Sequence, residues 1–355
     1  MERLLVAQTG FLGDVILTTP LLSTLRRELD LESLTVLTTP QARPLVQDHP
    51  AVDSVLVDSK REDDRGFLGM LRTARRLRRQ RFTLTVAPHK SFRTALLLAL
   101  AGIPHRVGFR QSPGWFFYHR TAQRDTDRHE VERILCIMRG FGLEPEACGR
   151  TPYVAYHSAI QTKAQRFLDE ARIAASDPVF IVCPGSVWYT KRWTTAGYST
   201  LVRSLARHYG RVVLCGGPDD VPLAQEIEKQ AQVAGLLNLA GRADLQTFMA
   251  LIDRARVVIS NDSAPMHLAV ARQVPVVAIF CATTPSLGYG PYSDNAVIVE
   301  KKDLFCRPCR RHGGPSCPRG TEECMHLVTA HDVLAGVDKL LRRSALRTAP
   351  TSHSQ

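Results

Sequence analysis

The sequence predicts an α/β fold made of two Rossmann-like halves, each with a parallel sheet. Short apolar runs alternate with longer segments, several of helix length, which is the βαβ rhythm of a parallel sheet. The strand-like runs are residues 4–7, 34–37, 54–57, 82–87, 179–183, 211–214, 257–259 and 276–280. Because this rhythm restarts after a connection at residues 150–153, we expect two similar domains with a cleft between them.

Length and composition indicate a globular protein. The chain has 355 residues, enough for two domains, and a hydrophobic content of 44%. We place an N-terminal domain at residues 1–160, a C-terminal domain at 161–335, and a helix end with a flexible tail at 336–355. The apolar runs fall short of the ~20 residues of a membrane span. The N-terminus reads as a strand rather than a secretory signal, so we expect a cytoplasmic protein.

The formal net charge of +12 favours an anionic partner. Nucleic acid, a phosphorylated sugar and an acidic membrane face all remain possible on charge alone. The arginine-rich run at residues 72–79 is typical of a solvated helix face. A second cationic set, Lys90, Arg93, Arg106 and Arg110, follows predicted strand ends and is the better candidate for binding phosphates.

The loop after the first predicted strand carries two glycines and an acid. Gly10 and Gly13 permit a tight turn close to a ligand, and Asp14 begins the next helix. Asp14 is either a helix cap or a functional carboxylate facing the cleft. The loop lacks the full G-x-G-x-x-G pattern, which argues against a nicotinamide-dependent dehydrogenase.

Two loops of the C-terminal half have residues suited to phosphates and sugars. The hydroxyl of Ser186 and the cations of Lys191 and Arg192 suit a diphosphate whose charge grows as a glycosidic bond breaks. Arg192 could fork onto a phosphate or form a surface ion pair. A glycine-rich turn at residues 215–220 ends in two acids, which are either helix caps or acceptors for sugar hydroxyls.

The segment at residues 260–269 places an acid, a hydroxyl and an imidazole where a strand ends and a helix begins. Asp262, Ser263 and His267 would there meet backbone N–H groups and a positive helix end, which suits a sugar nucleotide. The alternative is an ordinary helix cap followed by a satisfied histidine.

These motifs together resemble a known family. The matching segments are residues 10–14, 101–110, 184–193, 238–241, 261–269 and 275–280. In this order they resemble the lipopolysaccharide heptosyltransferases of glycosyltransferase family 9, most closely the heptosyltransferase II members. The resemblance implies a GT-B fold with two Rossmann-like domains facing a central cleft. It also implies that the C-terminal domain holds most of the donor.

The resemblance further implies an inverting transfer of heptose from ADP-L-glycero-β-D-manno-heptose to the first heptose of the inner core on Kdo-lipid A. Asp14 matches the proposed general base, and Lys191 the lysine that contacts donor phosphate or sugar. Ser186 lies where the family uses a hydroxyl near the phosphates. A single displacement needs a base and a stabilised leaving group. We therefore expect no cofactor and no catalytic metal.

The same resemblance assigns donor binding to Asp262, Ser263 and His267. Where relatives have a glycine and an apolar residue after the Asp-Ser pair, this chain has Ala264 and Pro265. Alanine and proline permit fewer backbone conformations than glycine, so the loop is stiffer and the sugar selectivity is in question.

The acceptor implied by the resemblance is anionic and membrane-bound. We assign its binding to Lys90, Arg93 and Arg110 and expect a peripheral location at the inner membrane, with no nucleic acid partner.

Nine cysteines without a secretory context argue against a disulfide scaffold. Four of them cluster in a loop at residues 303–325: Cys306, Cys309, Cys317 and Cys324. Four thiolates could close a tetrahedral zinc site, although the second pair is spaced more widely than in a zinc ribbon. The sequence leaves zinc binding and the oligomeric state open.

Three other functions remain open at this point. One is a family 9 glycosyltransferase that uses another sugar or core acceptor. Another is a basic nucleic-acid-binding protein with a zinc-like cysteine cluster, although ordered motifs in both halves argue against it. The third is a catalytically silent sensor of sugar nucleotides.

Overall fold

A computed structural model describes residues 1–60 and 64–348, with side chains as far as residue 346. The chain divides into two compact units, a first unit at Met1–His157 and a second unit that begins at Ser158. Each unit contains one six-stranded, fully parallel sheet with helices, so the predicted α/β class is confirmed. Of the expected tail, residues up to Thr348 continue a helix, and residues 349–355 lie outside the described part.

The first unit has the strand order β3-β2-β1-β4-β5-β6. Its strands are β1 (Glu2–Ala7), β2 (Leu31–Thr38), β3 (Ser54–Val57), β4 (Leu84–Val86), β5 (His105–Phe109) and β6 (Arg120–Ala122). Its α-helices are α1 (Leu12–Glu28), α2 (Gly66–Arg79), α3 (Phe92–Leu100) and α4 (Glu130–Leu135). Leu4 of the central β1 lies opposite Leu34 of β2 and Leu84 of β4.

The second unit has the strand order β12-β11-β10-β7-β8-β9. Its strands are β7 (Val179–Cys183), β8 (Arg211–Leu214), β9 (Leu237–Asn238), β10 (Ala255–Asn261), β11 (Val276–Phe280) and β12 (Ala296–Glu300). Its α-helices are α5 (Ala159–Glu170), α6 (Thr195–His208), α7 (Val221–Ala231), α8 (Leu245–Asp253), α9 (Ala264–Ala271), α10 (Glu323–His326) and α11 (Ala330–Thr348). Among the described residues, no helix combines the length and apolar character of a membrane span.

All eight predicted strands are present, because most are apolar runs that a parallel sheet buries on both faces, whereas β3 at the sheet edge is only partly buried. Sequence reasoning missed β5, β6, β9 and β12. β5 reads His-Arg-Val-Gly-Phe, which is not an apolar run, and β9 has only two residues. β12 reads Ala-Val-Ile-Val-Glu, and its β-branched residues were a usable signal.

The sheets decide where polar loops gather. In a parallel sheet the carboxyl ends of the strands share one edge, and the helices that follow begin there. The loop at residues 8–11 therefore emerges at this edge of the first sheet, beside the residues that follow its neighbours β2 and β4. At the same edge of the second sheet, the loops after β7, β10 and β11 are adjacent, because these strands are neighbours.

Candidate functional site

Lys191 and Asp262 form an ion pair at the carboxyl edge of the second sheet. Lys191 ends a 3-10 turn after β7, and Asp262 directly follows β10. Lys191 Nζ lies 2.6 Å from Asp262 Oδ2 and donates to the Asp262 carbonyl at 3.2 Å. Thr283 Oγ1, after β11, donates to the same Oδ2 at 2.7 Å. Three loops thus converge on one carboxylate, which is 5% exposed and is compensated by a cation.

Asn261, the last residue of β10, holds the neighbouring loops together. Its Nδ2 donates to the carbonyl of Pro184 at 2.7 Å. Its Oδ1 accepts from the Trp193 backbone N–H at 3.1 Å and the Tyr198 hydroxyl at 2.9 Å. The side chain is fully buried, so these bonds satisfy polar atoms that water cannot reach. Asn261 therefore fixes both ends of the loop that carries Lys191.

The start of α9 provides backbone donors beside this pair. Ser263 is the N-cap in extended conformation, and its Oγ lies 3.2 Å from that of Ser260. The first N–H groups of a helix have no intrahelical acceptor and carry partial positive charge. Pro265 occupies the first turn, where its missing N–H costs least. His267 is buried one turn later, on the same helix.

Arg192 is bonded to the loop at residues 184–186, and its charge lies near an acid that follows β8. Its Nε donates to the Ser186 carbonyl at 2.8 Å. Asp220, after β8, accepts from the Gly217 backbone N–H at 3.0 Å. Burial raises the pKa of Asp220, against the lowering effects of that hydrogen bond and the nearby Arg192 charge. Arg192 thus places positive charge beside Ser186.

Residues of the cysteine-rich loop pack against the Lys191 turn. Thr190 N and Oγ1 both donate to the Gly314 carbonyl, at 3.1 and 3.2 Å, and Gly314 N donates back to Thr190 Oγ1 at 2.9 Å. Cys309 N donates to the Ala282 carbonyl at 3.1 Å. The loop therefore supports the turn that presents Lys191 and the connection after β11.

None of the nine cysteines forms a disulfide. Within residues 1–60 and 64–348, no three His, Cys, Asp or Glu side chains form a group that could hold a metal ion. Burial raises the pKa of the Cys324 thiol to about 11. The backbone N–H of Glu322 instead lowers the pKa of Cys317. The thiols of this loop thus differ in acidity.

Asp14 lies in the first turn of α1, at the carboxyl edge of the first sheet. Its Oδ2 accepts from the backbone N–H of the N-cap residue Phe11 at 3.1 Å. Gly10 N donates to Gln8 Oε1 at 3.1 Å, which tightens the same loop. A carboxylate that accepts from the N-cap backbone at the carboxyl edge of the sheet is compatible with both sequence interpretations.

The cations predicted to bind an acceptor differ in their surroundings. Arg93 pairs with the fully buried Asp58, with Nη2 to Oδ1 at 3.1 Å. Lys90 and Arg110 have exposed side chains. Lys60, which sequence reasoning missed, donates from Nζ to the Thr9 carbonyl at 2.5 Å. Lys60 follows β3, and this position after a strand could have identified it as a candidate site residue.

The comparisons with known proteins agree with this architecture. The family model for glycosyltransferase family 9 (heptosyltransferase) matches residues 70–316. Lipopolysaccharide heptosyltransferase 3 of Escherichia coli is 26% identical over 349 residues, covering 96% of this chain and 99% of that protein. Lipopolysaccharide heptosyltransferase 2 of Salmonella typhimurium strain LT2 is 25% identical over 305 residues, covering 84% and 87%. The structure of E. coli ADP-heptose lps heptosyltransferase II matches with a TM-score of 0.79 and 22% identity, covering 97% and 99%.

Two Rossmann-like units with parallel sheets, and the likeness to a solved heptosyltransferase structure, assign the GT-B fold. The family match extends over more than half of the chain. The chain belongs to glycosyltransferase family 9, the heptosyltransferase family, as the order of its sequence motifs implied.

Proposed function

We propose that this protein transfers heptose from ADP-heptose to the first heptose of the lipopolysaccharide inner core, with inversion. The observation that supports this most is the convergence of Lys191, Asp262 and Thr283 beside the start of α9. This arrangement offers a cation, sugar-hydroxyl acceptors and helix N–H groups within one edge of the sheet. Those are the groups that bind a nucleoside diphosphate sugar.

On the donor side, Lys191 and the N-terminus of α9 stabilise the negative charge that grows on ADP as the glycosidic bond breaks. Ser186 and Arg192 add a hydroxyl and a guanidinium near the phosphates. Asp262 and His267 contact the donor, with Asp262 also holding Lys191 in place. The second unit is therefore the proposed donor domain, and the reaction needs no covalent intermediate.

On the acceptor side, Asp14 takes the proton from the attacking hydroxyl. The same carboxylate is tied by one oxygen to the Phe11 N–H, which orients it. Lys90 and Arg110, which are exposed, supply positive charge for the phosphates and carboxylates of the inner core, while Arg93, paired with Asp58, lies beside them. The first unit is the proposed acceptor domain, and the enzyme acts at the cytoplasmic face of the membrane.

A second candidate is transfer of a later heptose of the core. It is favoured by the similar identities to heptosyltransferase 3 (26%) and heptosyltransferase 2 (25%). Acceptors that carry one or two heptoses separate the two functions. Product formation only from the one-heptose acceptor supports the first proposal, and product only from the two-heptose acceptor supports the second.

The base is tested with Asp14→Asn. The amide oxygen of asparagine can still accept from Phe11 N–H, so the helix cap is retained while the base is lost. We expect transfer to fall about 100-fold or more while ADP-heptose binding, measured by calorimetry, is unchanged. Asp332→Asn is the matched control, because Asp332 Oδ2 accepts from Thr329 N at 2.8 Å at the start of α11. Transfer by Asp14→Asn at the rate of this control would refute the role of Asp14.

A further inference from the structure

Large apolar side chains are exposed at the carboxyl edge of the first unit. Phe11, Phe67, Leu68 and Phe92 lie at the starts of α1, α2 and α3, which begin at the carboxyl edge of the first sheet. Each is between 47% and 71% exposed. Soluble monomers rarely gather exposed apolar groups in this way unless the surface binds something.

Aromatic rings on the chain after β5 extend this surface. Trp115 and Phe116 are more than half exposed, and the ring centroid of Phe116 lies 6.4 Å from that of Phe92. Trp115 and Phe116 are 6.2 Å apart, and Phe116 and Phe117 are 4.5 Å apart. The rings therefore form one continuous aromatic cluster beside the start of α3.

The starts of α2 and α3 are tied to each other. Arg93 of α3 binds Asp58 and also donates from Nη2 to the Asp64 carbonyl at 3.3 Å, just before α2 begins. Buried side chains of both helices, Met70 and Ala95 among them, belong to one hydrophobic cluster against the sheet. The apolar groups of the two helices consequently lie on the same layer of the unit.

Helix α2 adds a cationic stripe to this layer. Residues 68, 72, 75 and 79 lie three and four positions apart and so share one helix face. They are Leu68 and three exposed arginines, Arg72, Arg75 and Arg79. Exposed arginines along one helix face attract an anionic membrane surface.

We propose that this surface, formed by Phe67, Leu68, Phe92, Trp115 and Phe116 with the arginine face of α2, docks onto a bilayer that contains anionic phospholipid. Aromatic side chains sit favourably at the headgroup level of a bilayer, and each arginine near an anionic leaflet adds attraction. The rings pack tilted and edge-on against one another rather than standing apart as stacking platforms for bases, which favours lipid over nucleic acid. The proposal specifies the membrane-face part of the proposed function and rests on it.

The test is flotation of the purified, full-length protein with vesicles of phosphatidylethanolamine and phosphatidylglycerol, and with vesicles of phosphatidylcholine. We expect binding to the anionic vesicles that weakens as salt rises. Replacing Trp115 and Phe116 by alanine should reduce the bound fraction at least several-fold. Replacing Arg75 and Arg79 by glutamine should weaken binding by about fivefold per arginine.

The matched control is Ile298→Ala with Leu327→Ala, which removes exposed apolar side chains from the second unit. It should bind vesicles like the wild type. Heptose transfer to a deacylated, soluble acceptor should be unchanged in all these variants, so loss of docking is distinguishable from loss of activity. The proposal is overturned if the wild type does not float, if the aromatic variant floats equally well, or if the surface binds RNA and not vesicles.

Discussion

At the scale of single residues, Asp262 has two proposed tasks at the donor site. It contacts the donor, and it holds Lys191 in place. It is nearly buried, and its carboxylate is shared between Lys191 Nζ and Thr283 Oγ1. A buried carboxylate costs free energy unless it is paired and hydrogen-bonded, so Lys191 stabilises the loop as well as offering charge to a phosphate. Substituting Lys191 should therefore affect both nucleotide binding and stability.

We expect Lys191→Gln to weaken ADP binding by about 10- to 100-fold, the value of a lost charge-assisted hydrogen bond. Calorimetric titration with ADP measures it, and thermal unfolding should show a lower Tm. Lys301→Gln is the control, because Lys301 pairs with Asp332 at 2.9 Å on a more exposed surface. ADP affinity within about twofold of wild type in folded Lys191→Gln would remove Lys191 from the donor site.

At the scale of elements, the cysteine-rich loop supports the 3-10 turn that ends in Lys191. Gly313 has φ +80°, and a Cβ there would lie 3.0 Å from Lys191 Cγ and 3.1 Å from Trp188 Cβ. Gly320 has φ +71°, but a Cβ there would meet nothing within 4 Å. Alanine strains the backbone at both positions and crowds Lys191 only at the first.

Gly313→Ala should therefore reduce kcat/KM for the donor several-fold more than Gly320→Ala. Both variants carry the same backbone cost, so the difference isolates the displacement of Lys191. Steady-state kinetics with ADP-heptose provide the comparison. Equal kinetics in the two variants would show that the loop does not position Lys191.

The elements also show what the sequence could predict. The strands that are apolar runs were predictable, because buried strands are continuously apolar in sequence. The grouping of the polar loops after them was also predictable, because parallel strands end at one edge of the sheet. The role of Asn261 was not predictable, although its segment was singled out. Its side chain bonds to the Pro184 carbonyl, which lies 77 positions away in the sequence. The hydrogen bond between Thr190 and Gly314 joins residues 124 positions apart, so no local sequence pattern indicates it.

At the scale of the whole molecule, acid should weaken the first unit through His49. This residue is 2% exposed, and its Nδ1 accepts from Ala51 N at 3.2 Å. Burial lowers the pKa of His49 to about 4. Between pH 6.5 and 4 the unfolded chain binds a proton that the folded chain does not, so the free energy of unfolding falls as pH falls.

The loss through His49 should approach about 3 kcal/mol near pH 4. His49→Asn keeps an acceptor near the position of Nδ1 and removes the titration, so chemical denaturation should show a flatter pH dependence than wild type below pH 6.5. The exposed His331→Asn should retain the wild-type slope. An unchanged slope in His49→Asn would contradict this assignment.

Heptose transfer by the complete molecule can be measured directly. Purified protein, ADP-heptose and a core acceptor that ends in one heptose should be incubated and the acceptor analysed by mass spectrometry. We expect a mass gain of one heptose that depends on ADP-heptose and is lost with Asp14→Asn. No gain with an acceptor that an established heptosyltransferase II extends, or a gain from another nucleotide sugar alone, would contradict it.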